Sequence, residues 1–152
     1  EIELDAKAQT FKVVTPRSES LIVPEGGSLA GDFLKVENKL TRGVFFAAAL
    51  GKAPLRSADR IIIFHLTDSN PNKRKFGNEK RTILESYGEL PVLIKAGQAR
   101  LTLKGDFKDY KLYAMEVSGR RIAEMPLDRA DGSVSFEADV LAKHIERLLA
   151  AR

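Results

Sequence analysis

Glycine, proline and asparagine interrupt this chain at short intervals, and that punctuation limits its fold more than any other feature. Breaks fall at residues 24–27, Gly31, Gly43, 51–54, 70–72, Gly77, 88–91, Gly97, Gly105, Gly119 and Gly132. The segments between them run mostly to about 6–12 residues, which suits short strands and is too short for a bundle of ordinary helices.

Several of these segments alternate with period two. In Val134-Ser135-Phe136-Glu137-Ala138 the apolar side chains fall on one face and the polar ones on the other. Leu34 and Val36 alternate with Lys35 and Glu37, and Leu101 and Leu103 with Arg100, Thr102 and Lys104. Successive strand residues point to opposite faces, so each segment reads as a half-buried strand. Ile61–Leu66 and residues 44–50 are apolar at nearly every position, and read as central strands covered on both faces by a neighbouring domain or a long loop. Residues 112–117, the Ser118-Gly119-Arg120 turn and residues 122–127 read as a hairpin.

At the C-terminus the period changes. Val140, Leu141, His144, Ile145, Leu148 and Leu149 form one helical stripe, with Lys143, Glu146 and Arg147 on the other side and Asp139 placed to cap the first turn. The expectation is an all-β, antiparallel two-sheet β-sandwich with a short C-terminal α-helix over 139–151. Residues 1–152 form a single domain, in which 1–9 serve as an edge strand or linker.

With 152 residues, 43% hydrophobic and 30% charged, the chain can bury a full core, and disorder is excluded. It begins at Glu1 and is read as an excised or processed piece. The absence of cysteine removes disulfides, thiolate zinc sites and cysteine nucleophiles, and two histidines cannot make a histidine-rich metal site. Ile61–Leu66 is far too short to cross a bilayer, so no membrane partner is expected. The net charge of +4 is a modest excess of the kind a solvated surface carries.

Four constellations invite a chemical reading. Glu1, Glu3 and Asp5 alternate as the carboxylates of laminarinase-like hydrolases do, but at the extreme terminus and in a chain without tryptophan to floor a sugar site. Asp68, Asn70 and Asn72, with Glu79 beyond them, place oxygens at alternate positions as a calcium loop would. Lys73 stands where such a loop needs glycine, and the simpler reading is an Asx-rich turn. No cofactor is therefore expected, with calcium as the alternative. Ser57, His65 and Asp68 could be written as a triad, yet there is no Gly-x-Ser-x-Gly elbow, and His65 lies inside an apolar strand. Phosphate-binding and dinucleotide-binding glycine motifs are also missing from the sequence. The densest positive patch is Lys73-Arg74-Lys75, followed by Phe76 and, further on, Tyr87; it suits the phosphate or sulfate groups of an anionic ligand. Nucleic acid is not expected, because no basic aromatic strand of the RNA-binding kind is present.

Four stretches together resemble a known module. They are Thr15-Pro16-Arg17-Ser18-Glu19, residues 57–68 (SADRIIIFHLTD), residues 87–97 (YGELPVLIKAG), and residues 113–121 (YAMEVSGRR) with the strand around Phe136. In this order, over residues 10–140, the chain resembles the C-terminal β-sandwich accessory domain that follows the barrel in some large bacterial, agarase-like glycoside hydrolases. The loop after Thr67-Asp68 departs from that pattern. The resemblance implies a non-catalytic module of a secreted enzyme, extracellular or periplasmic, whose catalytic carboxylates lie in a barrel outside this chain. The expected partners are a polysaccharide, anionic if the basic cluster takes part, and the catalytic barrel itself. The rival readings are a free-standing adaptor that binds protein through the C-terminal helix, and a small hydrolase.

Overall fold

The computed structural model describes residues 1–116 and 118–139. The strands run, in chain order, β1 (Ile2–Asp5), β2 (Thr10–Val14), β3 (Ser18–Val23), β4 (Ser28–Ala30), β5 (Leu34–Leu40), β6 (Gly43–Ala49), β7 (Ile61–Leu66), β8 (Ser69–Asn72), β9 (Lys75–Phe76), β10 (Leu84–Ser86), β11 (Glu89–Ile94), β12 (Gln98–Lys104), β13 (Leu112–Met115), β14 (Arg121–Met125), β15 (Asp128–Ala130) and β16 (Ser133–Asp139). A 3-10 turn, Leu55–Ser57, precedes β7. The fold is all-β and every pairing is antiparallel. The expected C-terminal helix lies outside the described residues. Asp139, read as its cap, ends β16 in register with Gln98. Among the described residues no helix is long and apolar enough to cross a membrane.

Two five-stranded sheets carry the core. The first has the order β1-β2-β3-β6-β7 and the second β15-β16-β12-β5-β4. Their inward residues form one cluster: Leu21 and Val23 from β3, Phe45 and Ala47 from β6, Leu34 and Val36 from β5, Leu101 from β12, Phe136 from β16. Alternation shows in strands that read as half-buried, β5 and β12 burying Leu34, Val36, Leu101 and Leu103, and β6, apolar at nearly every position, also buries every second residue. Phe107 closes one end of the cluster, its ring edge-on to Phe33 at 5.9 Å and to Tyr110 at 4.9 Å. The Tyr110 hydroxyl donates to the Ala58 carbonyl at 2.7 Å, so the apolar ring is buried without orphaning its polar tip.

Two buried polar groups tie turns to this core. Asn38, inward-facing on β5, donates from its amide nitrogen to the carbonyls of Val23, Pro24 and Thr41 at 2.7–3.1 Å. The Glu19 carboxylate on β3 accepts the Phe33 and Leu34 amides at 2.7 and 2.8 Å.

The outer faces differ in kind. On the second sheet Arg100 bridges Asp128 at 2.8 Å and Glu137 at 3.2 Å, and Lys39 meets Glu137 at 2.9 Å. These exposed pairs contribute little energy each but keep the face wet. The outer face of the first sheet is apolar. Directly opposed residues in antiparallel strands share a face, so the register sets out two rows across all five strands. One row is Leu4, Phe11, Ile22, Val44 and Leu66; the other is Ile2, Val13, Ser20, Phe46 and Phe64.

Two expectations need correction. Ile61–Leu66 is β7, an edge strand rather than a central one, and its Phe64 and Leu66 are exposed. Its doubly apolar sequence reflects an inner face on the core and an outer face in the apolar rows. The stretch read as an Asx turn, Asp68 to Asn72, is mostly strand: Ser69–Asn72 forms β8 and pairs with β11. Asparagine and proline are tolerated there because this ribbon has only two strands, so each strand has an open edge.

Candidate functional site

The chain crosses from β7 in the first sheet to β12 in the second through a two-stranded arm. Its base is fastened by the Thr67 hydroxyl donating to the Lys95 carbonyl at 2.5 Å and the Lys95 amide to the Asp68 carbonyl at 2.8 Å. β8 and β11 form the proximal ribbon, and β9 and β10 the distal one. Gly88 makes the return possible. It has φ +79°, and a Cβ there would stand 2.4 Å from the Asn72 carbonyl oxygen and 2.8 Å from the Arg74 nitrogen. Any other residue would push the two strands apart.

All five residues of the predicted anion site lie on this arm. Lys75 pairs in register with Ser86, which brings the cluster next to Tyr87, whose ring is 79% exposed. The cations, however, have local partners. Lys73 is ion-paired with Glu89. Arg74 is half-buried, donates to the Asn70 side-chain oxygen at 3.2 Å, and lies over the Phe76 ring at 5.5 Å. Arg81 covers the same ring at 5.6 Å and bridges Asp68 at 2.9 Å. Phe76 therefore has two guanidinium groups against its ring. Lys75 has no ion-pair partner among the described residues, and with Tyr87 it makes up the accessible part of the predicted set.

The residues of the calcium alternative are also placed. Arg81 hydrogen-bonds the Asp68 carboxyl and holds its pKa below the usual carboxylate range. Asn70 donates to Asp68 at 3.2 Å and accepts from Arg74. Asn72 ends β8, and Glu79 is exposed near the tip of the arm. Among the described residues no three histidine, aspartate or glutamate side chains gather closely enough to hold a metal ion.

The remaining chemical candidates are dispersed. Glu1 and Glu3 both pair with Lys12, at 3.2 and 2.6 Å. Ser57 sits in the 3-10 turn, Asp68 is engaged by Arg81, and His65 faces the core, stacked on Phe45 with ring centroids 4.4 Å apart. Burial lowers the His65 pKa, against smaller opposing effects from the Ala138 carbonyl and the Asp139 carboxylate. The unfolded imidazole, near 6.5, takes up a proton that the folded one rejects, so the neutral ring's contribution is complete above that value. It is lost as pH falls from there through the folded value. Urea midpoints between pH 8 and 5 should fall more steeply for the wild type than for His65→Leu. Parallel slopes would show that another group sets the acid limit.

A shallow cleft of about 380 Å³ opens between the loop 105–108 and the β15–β16 turn, lined in part by Asp106, Lys108, Arg129 and Asp131. Arg129 is committed to the Phe107 and Tyr110 carbonyls at 2.6 and 2.7 Å.

Charge counting along the sequence missed the apolar side of the arm. All six residues of β11, Glu-Leu-Pro-Val-Leu-Ile, are exposed, with Leu90 at 83%. Ile83 and Leu84 continue the apolar surface toward the tip. Among the described residues β11 pairs only with β8, so its outer edge offers unpaired backbone groups beside these side chains. The available signal was an apolar run that neither alternates nor matches a helix. No known family model matches this chain, and no solved structure does.

Proposed function

We propose that this chain is a two-sheet sandwich that serves as a non-catalytic accessory module of a secreted, polysaccharide-degrading glycoside hydrolase, packed on the catalytic barrel through the β8–β11 arm. The observation that carries the proposal is β11: an exposed, apolar, open-edged strand on a projecting ribbon. Exposed apolar surface of this extent on a soluble domain marks a place where another protein surface sits. An open strand edge adds main-chain hydrogen bonds to such a contact. The partner's identity rests on the sequence resemblance of residues 10–140.

Packing is favoured over sugar binding by the state of the basic cluster. With Lys73 ion-paired with Glu89, Arg81 with Asp68, and Arg74 half-buried against Asn70 and Phe76, an anionic polysaccharide would meet little beyond Lys75 and Tyr87. The test is co-purification of the chain with the catalytic domain encoded upstream in the same reading frame, expressed separately. The two should co-elute, and Leu90→Asp with Leu93→Asp should weaken the complex tenfold or more while leaving the chain folded. A reading frame without a glycoside hydrolase domain, or undiminished binding by the double variant, would overturn the proposal.

A further inference from the structure

We propose that β11 pairs along its open edge with β11 of a second copy of this chain, antiparallel about a two-fold axis at Leu93, so that two arms join in one wider ribbon. The phase of the β8–β11 ladder fixes which main-chain groups are free. The Lys95 amide donates to the Asp68 carbonyl at 2.8 Å, and Ile94, Leu93 and Val92 then stand opposite Ser69, Asn70 and Pro71. Hydrogen-bonded and non-hydrogen-bonded pairs alternate along an antiparallel ladder. Leu93 therefore bonds to β8, while the N–H and C=O groups of Val92 and Ile94 point away from it. Pro71, opposite Val92, has no N–H to place and fits the same phase.

The two margins of the ribbon are unlike. On the β8 side the outward residues are Ser69 and Pro71, and the proline removes a donor from that edge. On the β11 side both outward residues keep donor and acceptor, and among the described residues no strand lies along them. Val92, Leu93 and Ile94 are each more than half exposed, and no charge interrupts residues 90–94. An apolar strand edge without a charge to block it accepts another strand.

A second copy matches this edge in backbone, side chains and charge. With the axis at Leu93, Val92 of each copy faces Ile94 of the other, and each such pair exchanges both its N–H and its C=O groups. This register uses the straight segment and leaves out the irregularity between Glu89 and Val92. Val92 then lies beside Ile94 of the second copy on one face, and the two Leu93 side chains meet on the other, as apolar cross-strand pairs do. Antiparallel pairing also brings the Lys95 end of each strand toward the Glu89 end of the other. Lys95 has no ion-pair partner among the described residues, and Lys73 occupies one Glu89 oxygen. The two-fold contact closes on itself, and Pro71 on the far margin stops the ribbon from adding further strands. The edge serves this pairing when the chain is alone; a catalytic domain seated on the arm would take the place of the second copy.

The chain has no cysteine, so introduced thiols report without background. Leu93 and Val92 are nearly equally exposed, at 53% and 51%. In the proposed pair Leu93→Cys meets its own copy directly, within disulfide reach, whereas Val92→Cys meets Ile94 and lies a diagonal step of about 7–8 Å from its own copy. Under mild oxidation of the chain alone, Leu93→Cys should form disulfide dimers at least tenfold faster than Val92→Cys. Equal rates would mark random collision and overturn the proposal, and so would faster closure at Val92. Sedimentation velocity supplies a second measurement. The wild type should associate as its concentration rises roughly a hundredfold to about 1 mM, as a small contact requires. Ile94→Pro removes an outward N–H that β8 does not use, and should weaken that association at least tenfold. A wild type that stays monomeric throughout, or association unchanged in Ile94→Pro, would overturn the proposal. Both measurements use the chain by itself, so their outcome is separate from whether a catalytic domain binds the arm.

Discussion

Replacing Glu19 by alanine should destabilise the fold by about 3 kcal/mol and lower the melting temperature by roughly 10 °C. The carboxylate is 1% exposed and lies at an inward position of β3, where the neighbouring inward residues are Leu21 and Val23. Its two oxygens accept the Phe33 and Leu34 amides, one each, where the chain turns into β5 of the opposite sheet. Removing it strands two buried N–H donors and leaves a void between the sheets. Glutamine is no repair. Its oxygen can satisfy one amide, but its NH2 group then faces the other, donor against donor. Glu19→Gln should therefore cost nearly as much as Glu19→Ala, which separates the acceptor requirement from the loss of volume. The same contact explains Gly31, where a Cβ would stand 2.2 Å from a Glu19 oxygen. Urea unfolding of Glu19→Ala, Glu19→Gln and Gly31→Ala checks all three. A Glu19→Gln variant as stable as wild type would show that one hydrogen bond suffices.

Glu19 also marks the limit of reading this fold from its sequence. Strands β5, β12 and β16 were legible because one side of each meets the core and the other meets water, and residue type records that contrast. β3 was not, because a carboxylate at an inward position breaks the pattern, and only the amides of residues distant in sequence make it tolerable. For β7 the difficulty is different. Apolarity on both sides of a strand records what its two faces touch, but says nothing of whether its edges are paired. A strand at the margin of a sheet with two apolar faces looks the same in sequence as one at its centre.

Charge on the arm shows a related limit. Lys73, Arg74 and Lys75 are visible as a cluster, but how freely they meet a ligand depends on Glu89, which pairs with Lys73, and on Asn70, which accepts from Arg74, and the pairing of β8 with β11 decides which of these come close. Adjacent cations in sequence mark a basic loop; an anion site also requires that no counter-ion has been folded against them. Of the three, Lys73 has such a counter-ion, and Arg74 keeps its charge but is half-buried against the Asn70 amide. The apolar strand opposite them, which has no partner within the described residues except β8, is the more informative surface.

Phe45→Ala is expected to cost about 4 kcal/mol, the other large effect, and its neighbours on the outer face provide the control. Phe45 is wholly buried on the inner face of β6, stacked on His65, and a Cβ at Gly43 would stand 2.9 Å from its ring. Nothing nearby can move into the space a benzyl group would leave, because Gly43 has no side chain to extend and His65 is held on β7. Phe64 lies one strand away and one residue off in register, on the opposite face, with 42% of its surface exposed. Phe64→Ser removes only partly wetted surface and should change stability by less than about 1 kcal/mol. Urea midpoints for Phe45→Ala and for Phe64→Ser therefore test the two faces of one sheet together. A small effect at Phe45 would contradict the shared core of the two sheets. A Phe64→Ser penalty as large as that of Phe45→Ala would contradict the difference between the two faces.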